Sequence, residues 1–146
     1  MNLKFPIKTD QIKFVLRRDE GFGPVPVFTV SIDGNGNVEY EGIENVRVKG
    51  KHSSKISQAK VLKLFSQTLE LGILDLDTNY IAETIYSIHD NIIFASNLCS
   101  TDLPSSQLEI RIGKKRKKIF NYEGAPKRLV EFEELIIKLS GVHVWI

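Results

Sequence analysis

The sequence has little of what marks a dedicated chemistry. It carries one cysteine, Cys99, so an internal disulfide is excluded. At 146 residues the chain can bury a core without a covalent staple or a metal. Cys99 reads as a small buried residue, with a reactive thiol as the other reading. No apolar run approaches the roughly 20 residues needed to span a bilayer. The segment Met1-Asn2-Leu3-Lys4-Phe5-Pro6 lacks the apolar core of a secretory leader. The expectation is a protein of the reducing cytoplasm with no membrane association. Neither sign of charge dominates: 20 basic against 18 acidic residues leave a net charge of +2, too even to imply a polyanion partner by itself. His52, His89 and His143 lack metal-ligand spacing. His89-Asp90 would orient a base, but no nucleophile elbow accompanies it. Gly21-Phe22-Gly23-Pro24 is not a dinucleotide fingerprint, because the spacing is wrong and a strand follows. No catalytic residue, no metal and no cofactor is expected.

What is present is patterned apolar sequence. Ile12, Phe14 and Leu16 alternate with Lys13, Val15 and Arg17, which predicts a strand. A second strand runs from Val27 to Ile32. Asp33-Gly34-Asn35-Gly36 is the strongest turn signal in the chain, and Asn37 to Glu41 returns as a hairpin partner. Asn45 to Gly50 predicts a further strand with Val46 and Val48 inward. Ser57 is a helix N-cap candidate, with Val61, Leu62, Phe65 and Leu69 at helical spacing and Gly72 as the stop. Ile73 to Asn91 is ambiguous, with Ile81 to Tyr86 open to strand or short helix. Ile92 to Ala95 predicts a buried strand, and Ser100 to Ser106 a loop.

Leu108, Ile110 and Ile112 alternate as a strand. Gly113-Lys114-Lys115-Arg116 turns the chain, and Lys117 to Tyr122 returns it. Pro126 suits the first turn of a second helix, with Leu129, Phe132, Ile136 and Leu139 as its stripe and Gly141 as its end. The apolar tail Val142 to Ile146 is expected on the sheet. The fold class is α+β: an antiparallel sheet with two amphipathic helices packed on one face, in the order strands, helix, strands, helix. The expected core joins Leu62, Phe65, Leu69, Leu129, Phe132 and Ile136 to Phe14, Val30 and Ile110. Residues 1–146 read as one domain. Tyr40-Glu41-Gly42 and Tyr122-Glu123-Gly124 raise a half-domain duplication, about 12–72 and 92–141, as an alternative.

Several motifs carry a resemblance. Gly21-Phe22-Gly23-Pro24-Val25-Pro26-Val27-Phe28 is followed by Asp33-Gly34-Asn35-Gly36 and Tyr40-Glu41-Gly42. Later come Val48-Lys49-Gly50-Lys51, Thr101-Asp102-Leu103-Pro104, Tyr122-Glu123-Gly124-Ala125-Pro126 and Trp145-Ile146. In order and spacing the chain resembles the bacterial domain-of-unknown-function family numbered six-four-three-eight. Its members carry Cys-Phe-Gly-x-Cys-Pro where Gly21 and Val25 stand here. The resemblance implies no catalytic residues, and without those cysteines no cysteine-dependent redox or metal role carries over.

The candidate binding residues follow from charge and from these motifs. Lys114, Lys115, Arg116, Lys117 and Lys118 form a basic hairpin able to attract phosphates or to keep an edge strand from pairing. Arg47, Lys49 and Lys51 are expected to share one strand face, which would extend the patch if it adjoins that hairpin. Arg17 stands just before the glycine loop and Phe22 lies within it, and Asp102 is a turn carboxylate. Two function classes remain: a non-catalytic binding or interaction module, with a protein partner favoured, and a small enzyme whose site forms only in three dimensions. Nucleic-acid or other polyanion binding through the basic hairpin is a version of the first. A flat apolar or basic face would favour the module, and a deep cleft with convergent polar groups the enzyme. The sequence sets no oligomeric state.

Overall fold

Period-two alternation builds the centre of the molecule. The computed structural model describes residues 6–19, 24–80, 84–97, 105–122 and 124–146. Strand β1 (Ile12–Arg18) buries Ile12, Phe14 and Leu16 and turns Lys13, Val15 and Arg17 to the opposite face. It pairs antiparallel with β2 (Val27–Asp33), which places Ile32 opposite Phe14 and Val30 opposite Leu16. Strand β3 (Asn37–Glu44) returns from β2 through the Asp33 turn. Asp33 Oδ1 accepts from the backbone N–H of Asn35 and Asn37, each at 2.9 Å. Gly36 follows with φ +87°, and a Cβ there would lie 2.2 Å from the Ile56 carbonyl oxygen. The turn glycine is thus required by both conformation and space.

The next strand departs from expectation. Residues 45–49 form no strand; β4 is Gly50–Lys55, fully exposed along its length, at the sheet edge. Asn45 takes φ +55° and Gly50 φ +91°, conformations that interrupt an extended run. The bend folds back over Gly42, where an added Cβ would meet the Val48 carbonyl oxygen at 2.2 Å. Tyr40 Oη donates to that same oxygen at 3.0 Å. The Tyr-Glu-Gly motif therefore closes a bend, and β4 intervenes before the helix.

Helix α1 (Gln58–Glu70) starts where Ser57 Oγ accepts from the Lys60 N–H, and it stops at Gly72 with φ +62°. Its buried face is Val61, Leu64 and Thr68, with Phe65 only half-buried at the margin. Leu62 and Leu69, expected in the core, are exposed. Both phases carry leucines; Thr68 is accommodated on the buried one because its hydroxyl donates to the Leu64 carbonyl at 2.9 Å within the helix.

The second half also runs from strands to a helix. The two-residue strand β5 (Asn79–Tyr80) leads to β6 (Thr84–His89) and β7 (Ile92–Asn97), which among the described residues pair only with each other. Strands β8 (Ser106–Ile112) and β9 (Lys115–Asn121) form a hairpin turning at Gly113-Lys114. Helix α2 (Lys127–Ser140) follows Pro126, which sits as N-cap one residue before the helix, and Gly141 ends it with φ +83°. Strands and helices alternate as expected, and the sheet is larger than the sequence suggested. Its seven strands run β4-β3-β2-β1-β8-β9-β5, antiparallel except where β5 meets β9.

Both helices contribute to one core with the inward residues of the sheet; Phe14 and Phe132 place their rings 6.1 Å apart. The tail folds onto the far end, with the Trp145 ring 5.2 Å from Tyr40 and the Val48 N–H donating to the Trp145 carbonyl. Tyr40 lies within β3 and Tyr122 just beyond β9, so the two halves of the sequence echo occupy different positions.

Candidate interaction surface and cleft

The basic residues divide between locations. Registry aligns Lys51, Glu41, Thr29, Arg17, Gln107 and Phe120 in one row across the open sheet face. Arg17 is spoken for: its Nε donates to Asp19 Oδ1 at 3.0 Å, and this bond and charge raise its already high pKa. Arg47 and Lys49 lie in the 45–49 bend rather than on a strand face with Lys51. Four strands separate β4 from β9, roughly 24 Å at about 4.8 Å per spacing. The two basic sets therefore do not adjoin.

Within the basic hairpin, alternation sends the side chains to both faces. Arg116 and Lys118 share the open face with Glu109, which also accepts from Arg111 Nε at 2.7 Å. Burial opposes ionisation of Glu109 but is outweighed by Arg111, Lys118 and Arg116, and its pKa falls below the ordinary value. Lys117 is half-buried and donates from Nζ to the Leu76 carbonyl. Lys114 and Lys115 stand exposed at the tip. Phe22, Asp102 and Cys99 lie outside the described residues, as does most of the glycine loop.

Sequence reasoning missed two features. The first is the β6–β7 hairpin, whose Ile92, Ile93 and Phe94 are exposed where a buried strand was expected. Ile88 stands opposite Ile93 and Tyr86 opposite Ala95, so these four side chains share one face. Tyr86 is 71% exposed, Ile88 70% and Ile93 70%, which leaves that face uncovered among the described residues. The opposite face holds Ser87, His89, Ile92 and Phe94, with the His89 and Phe94 rings 5.9 Å apart. At the turn, Asp90 and Asn91 take φ +51° and +62°, the pair of left-handed conformations of a tight two-residue hairpin.

The second missed feature is Glu133. It is 2% exposed, on the core stripe of α2 beside Phe132 and Ile136. A sequence signal existed: the acid falls four residues after Leu129 and three before Ile136, inside the apolar stripe. It faces a cleft of about 510 Å³ walled by Val25, Phe28, Val130 and Ile137. Ser105 and Asp19, which flank segments outside the described residues, also line it and join through the Asp19 N–H to the Ser105 carbonyl at 2.9 Å. Burial pushes the Glu133 pKa up, opposed by a hydrogen bond with Ser106 and the charge of Arg18. Arg18 Nε is 3.9 Å from Glu133, while its Nη2 donates to Glu134 at 2.8 Å.

Among the described residues no cluster of His, Cys, Asp and Glu could hold a metal ion, and no helix is long and apolar enough to cross a membrane. The class these features define is a mixed α+β domain with a mostly antiparallel sheet and two helices. The chain belongs to the family described as Domain of unknown function (DUF6438), whose model matches residues 12–140. No curated protein matches it.

Proposed function

We propose that this chain is a single-domain, cytoplasmic, non-catalytic interaction module that takes a protein partner on the β6–β7 hairpin. The observation that carries the reading is the uncovered face of Tyr86, Ile88, Ile93 and Ala95. An isolated two-stranded hairpin is marginally stable in water, and burying apolar area contributes about 25 cal/mol per Å². A contiguous apolar patch of this kind marks an interaction surface more often than scattered apolar residues do. Neither strand carries an Asp, Glu, Lys or Arg. The fitting partner is therefore a protein surface that is apolar and uncharged, with backbone groups able to pair along the outer edges of β6 and β7.

The polyanion alternative rests on Lys114, Lys115 and Arg116, and the carboxylate of Glu109 among the neighbouring cations argues against it. Salt separates the two readings. A photo-crosslinker is placed in turn at Ile93 and at Lys114, and the captured protein is purified and titrated. Adducts from position 93, lost when Tyr86→Ser/Ile88→Ser is added to the crosslinker-bearing chain, with an affinity indifferent to salt, support the hairpin. Adducts from position 114 alone, or affinity falling steeply with salt as counterion release requires, overturn it. Filter binding to DNA and RNA at low salt, with Lys114→Glu/Lys115→Glu/Arg116→Glu as comparison, reads the polyanion arm directly.

A further inference from the structure

The cleft beneath α2 has a charge imbalance that the hairpin reading leaves unused. Among the described residues four charged side chains line it: Arg18 from β1, Asp19 just after β1, and Glu133 and Glu134 from α2; His143 adds an imidazole from the segment after α2. Asp19 is closed by Arg17 at 3.0 Å, and Glu134 by Arg18 at 2.8 Å. Glu133 is left with the Ser106 hydroxyl and a guanidinium 3.9 Å away that is already engaged. Among the described residues, one buried carboxyl thus lacks a dedicated cation, in a cleft whose walls include Val25, Phe28, Val130 and Ile137.

We propose that this cleft binds a small ligand made of an apolar body and one primary ammonium group, with the ammonium meeting the Glu133 carboxylate. The apolar walls cover the body, and the ammonium supplies the missing positive charge and up to three donors. A carboxylate ligand fits poorly. Arg18 already serves two carboxylates, so an anion entering here meets surplus charge of its own sign. An uncharged ligand of the same shape gains the walls but not the ion pair. A cleft of about 510 Å³ accommodates an aryl-alkyl amine.

Ionised Glu133 is the form that binds. Because its pKa is raised, protons compete with the amine, and affinity increases as pH rises through the titration of Glu133, then levels off. Arg18, Asp19, Glu134 and His143 face the same space, so the carboxyl responsible has to be identified by substitution rather than by pH alone. Glu133→Gln keeps the shape and an acceptor for Ser106 while removing the charge.

The experiment is calorimetric titration of the full chain with phenethylamine, 2-phenylethanol and phenylacetate, which share one body and differ in the polar group. Phenethylamine is expected to bind roughly tenfold to a hundredfold more tightly than 2-phenylethanol, the range a charged hydrogen bond supplies. Phenylacetate is expected to be weakest. In Glu133→Gln the preference for the amine over the alcohol disappears, with circular dichroism reporting an intact fold. Equal affinity for the three probes, tighter binding of phenylacetate, no binding of the amine, or an amine preference that survives Glu133→Gln overturns the proposal. The wild-type series decides by itself if the Gln variant does not fold. None of these outcomes touches the hairpin reading, since no residue of β6 or β7 lines the cleft.

Discussion

Two antiparallel strand pairs in this molecule have similar apolar content and opposite fates. In β1 and β8 the inward residues Ile12, Phe14, Leu16, Leu108, Ile110 and Ile112 are all buried. In β6 and β7 the isoleucines, Tyr86 and Phe94 are all exposed where their side chains are described. The difference lies in what stands opposite. The β1–β8 pair has sheet neighbours on both sides and shares its core with α1 and α2, whereas among the described residues β6 and β7 pair only with each other. Alternation in sequence specifies an apolar face; whether that face is covered depends on elements elsewhere in the chain.

The contrast breaks most decisively at Phe132, which packs against Phe14. Phe132→Ala should lower stability by about 3–5 kcal/mol in denaturant melts. The matching truncation Ile88→Ala on the hairpin should stay within about 0.5 kcal/mol. A loss above about 1 kcal/mol at Ile88 would falsify the view that the hairpin is uncovered in the free protein.

Two carboxyls sharpen the comparison through opposite responses to pH. Asp33→Ala removes an acceptor of three hydrogen bonds at the β2–β3 turn and should cost about 1–2 kcal/mol at neutral pH. Burial opposes ionisation of Asp33, but hydrogen bonds from Asn37 and Asn35 outweigh it and lower its pKa. Its contribution is present above the unfolded-state value and lost as pH falls through the folded-state value, so wild type and variant should converge in acid. Glu133 is raised instead. The stability from keeping it protonated is complete below its unfolded-state value and lost as pH rises through the folded-state value. Glu133→Gln should therefore gain on wild type as pH rises above the ordinary carboxyl range. Thermal melts across pH give both slopes, and a gain for Glu133→Gln in acid rather than at neutral pH would show that desolvation does not dominate there.

The smallest expected effect tests the rotation of α1. Leu69→Ser on its exposed face should change stability by less than about 0.5 kcal/mol, whereas Leu64→Ala on the buried face should cost about 2–5 kcal/mol. Comparable losses at the two positions would mean that the helix is turned toward the phase the sequence first suggested.

Local signals in the sequence were decisive where their chemistry is local. The Ser57 cap, the Gly72 and Gly141 stops and the Asp33 turn are set by hydrogen bonds and dihedral angles within a few residues, and each is found in the structure. Strand β4 was misplaced because Gly-Lys-His-Ser-Ser-Lys has no apolar residue to alternate, while Val46 and Val48 alternate without pairing. The rotation of α1 was misread because a hydropathy pattern counts Thr68 as polar and does not register that its hydroxyl is satisfied within the helix. Glu133 was passed over because a charge within an apolar stripe has meaning only once the Ser106 and Arg18 partners arrive from other strands. Of the basic candidates, the structure brings Arg116 and Lys118 together around Glu109, and leaves Lys51 on the edge strand β4 and Arg47 and Lys49 in the bend before it.

The pairing of β1 with β8 also governs how the chain reaches this fold. Phe14 stands opposite Ile110 at the middle of the sheet, so the central seam joins segments nearly a hundred residues apart. Neither half-sheet can form this seam from its own strands, and the entropy of closing so long a loop has to be met before the seam adds stability. Folding is accordingly expected to be slow for the chain's size, with the β1–β2–β3 hairpins forming early and waiting for β8. The β6–β7 hairpin lies inside that loop. Deleting it shortens the closure only modestly, because closure entropy varies with the logarithm of length, so the refolding rate of a hairpin-deleted chain should rise by no more than a small factor.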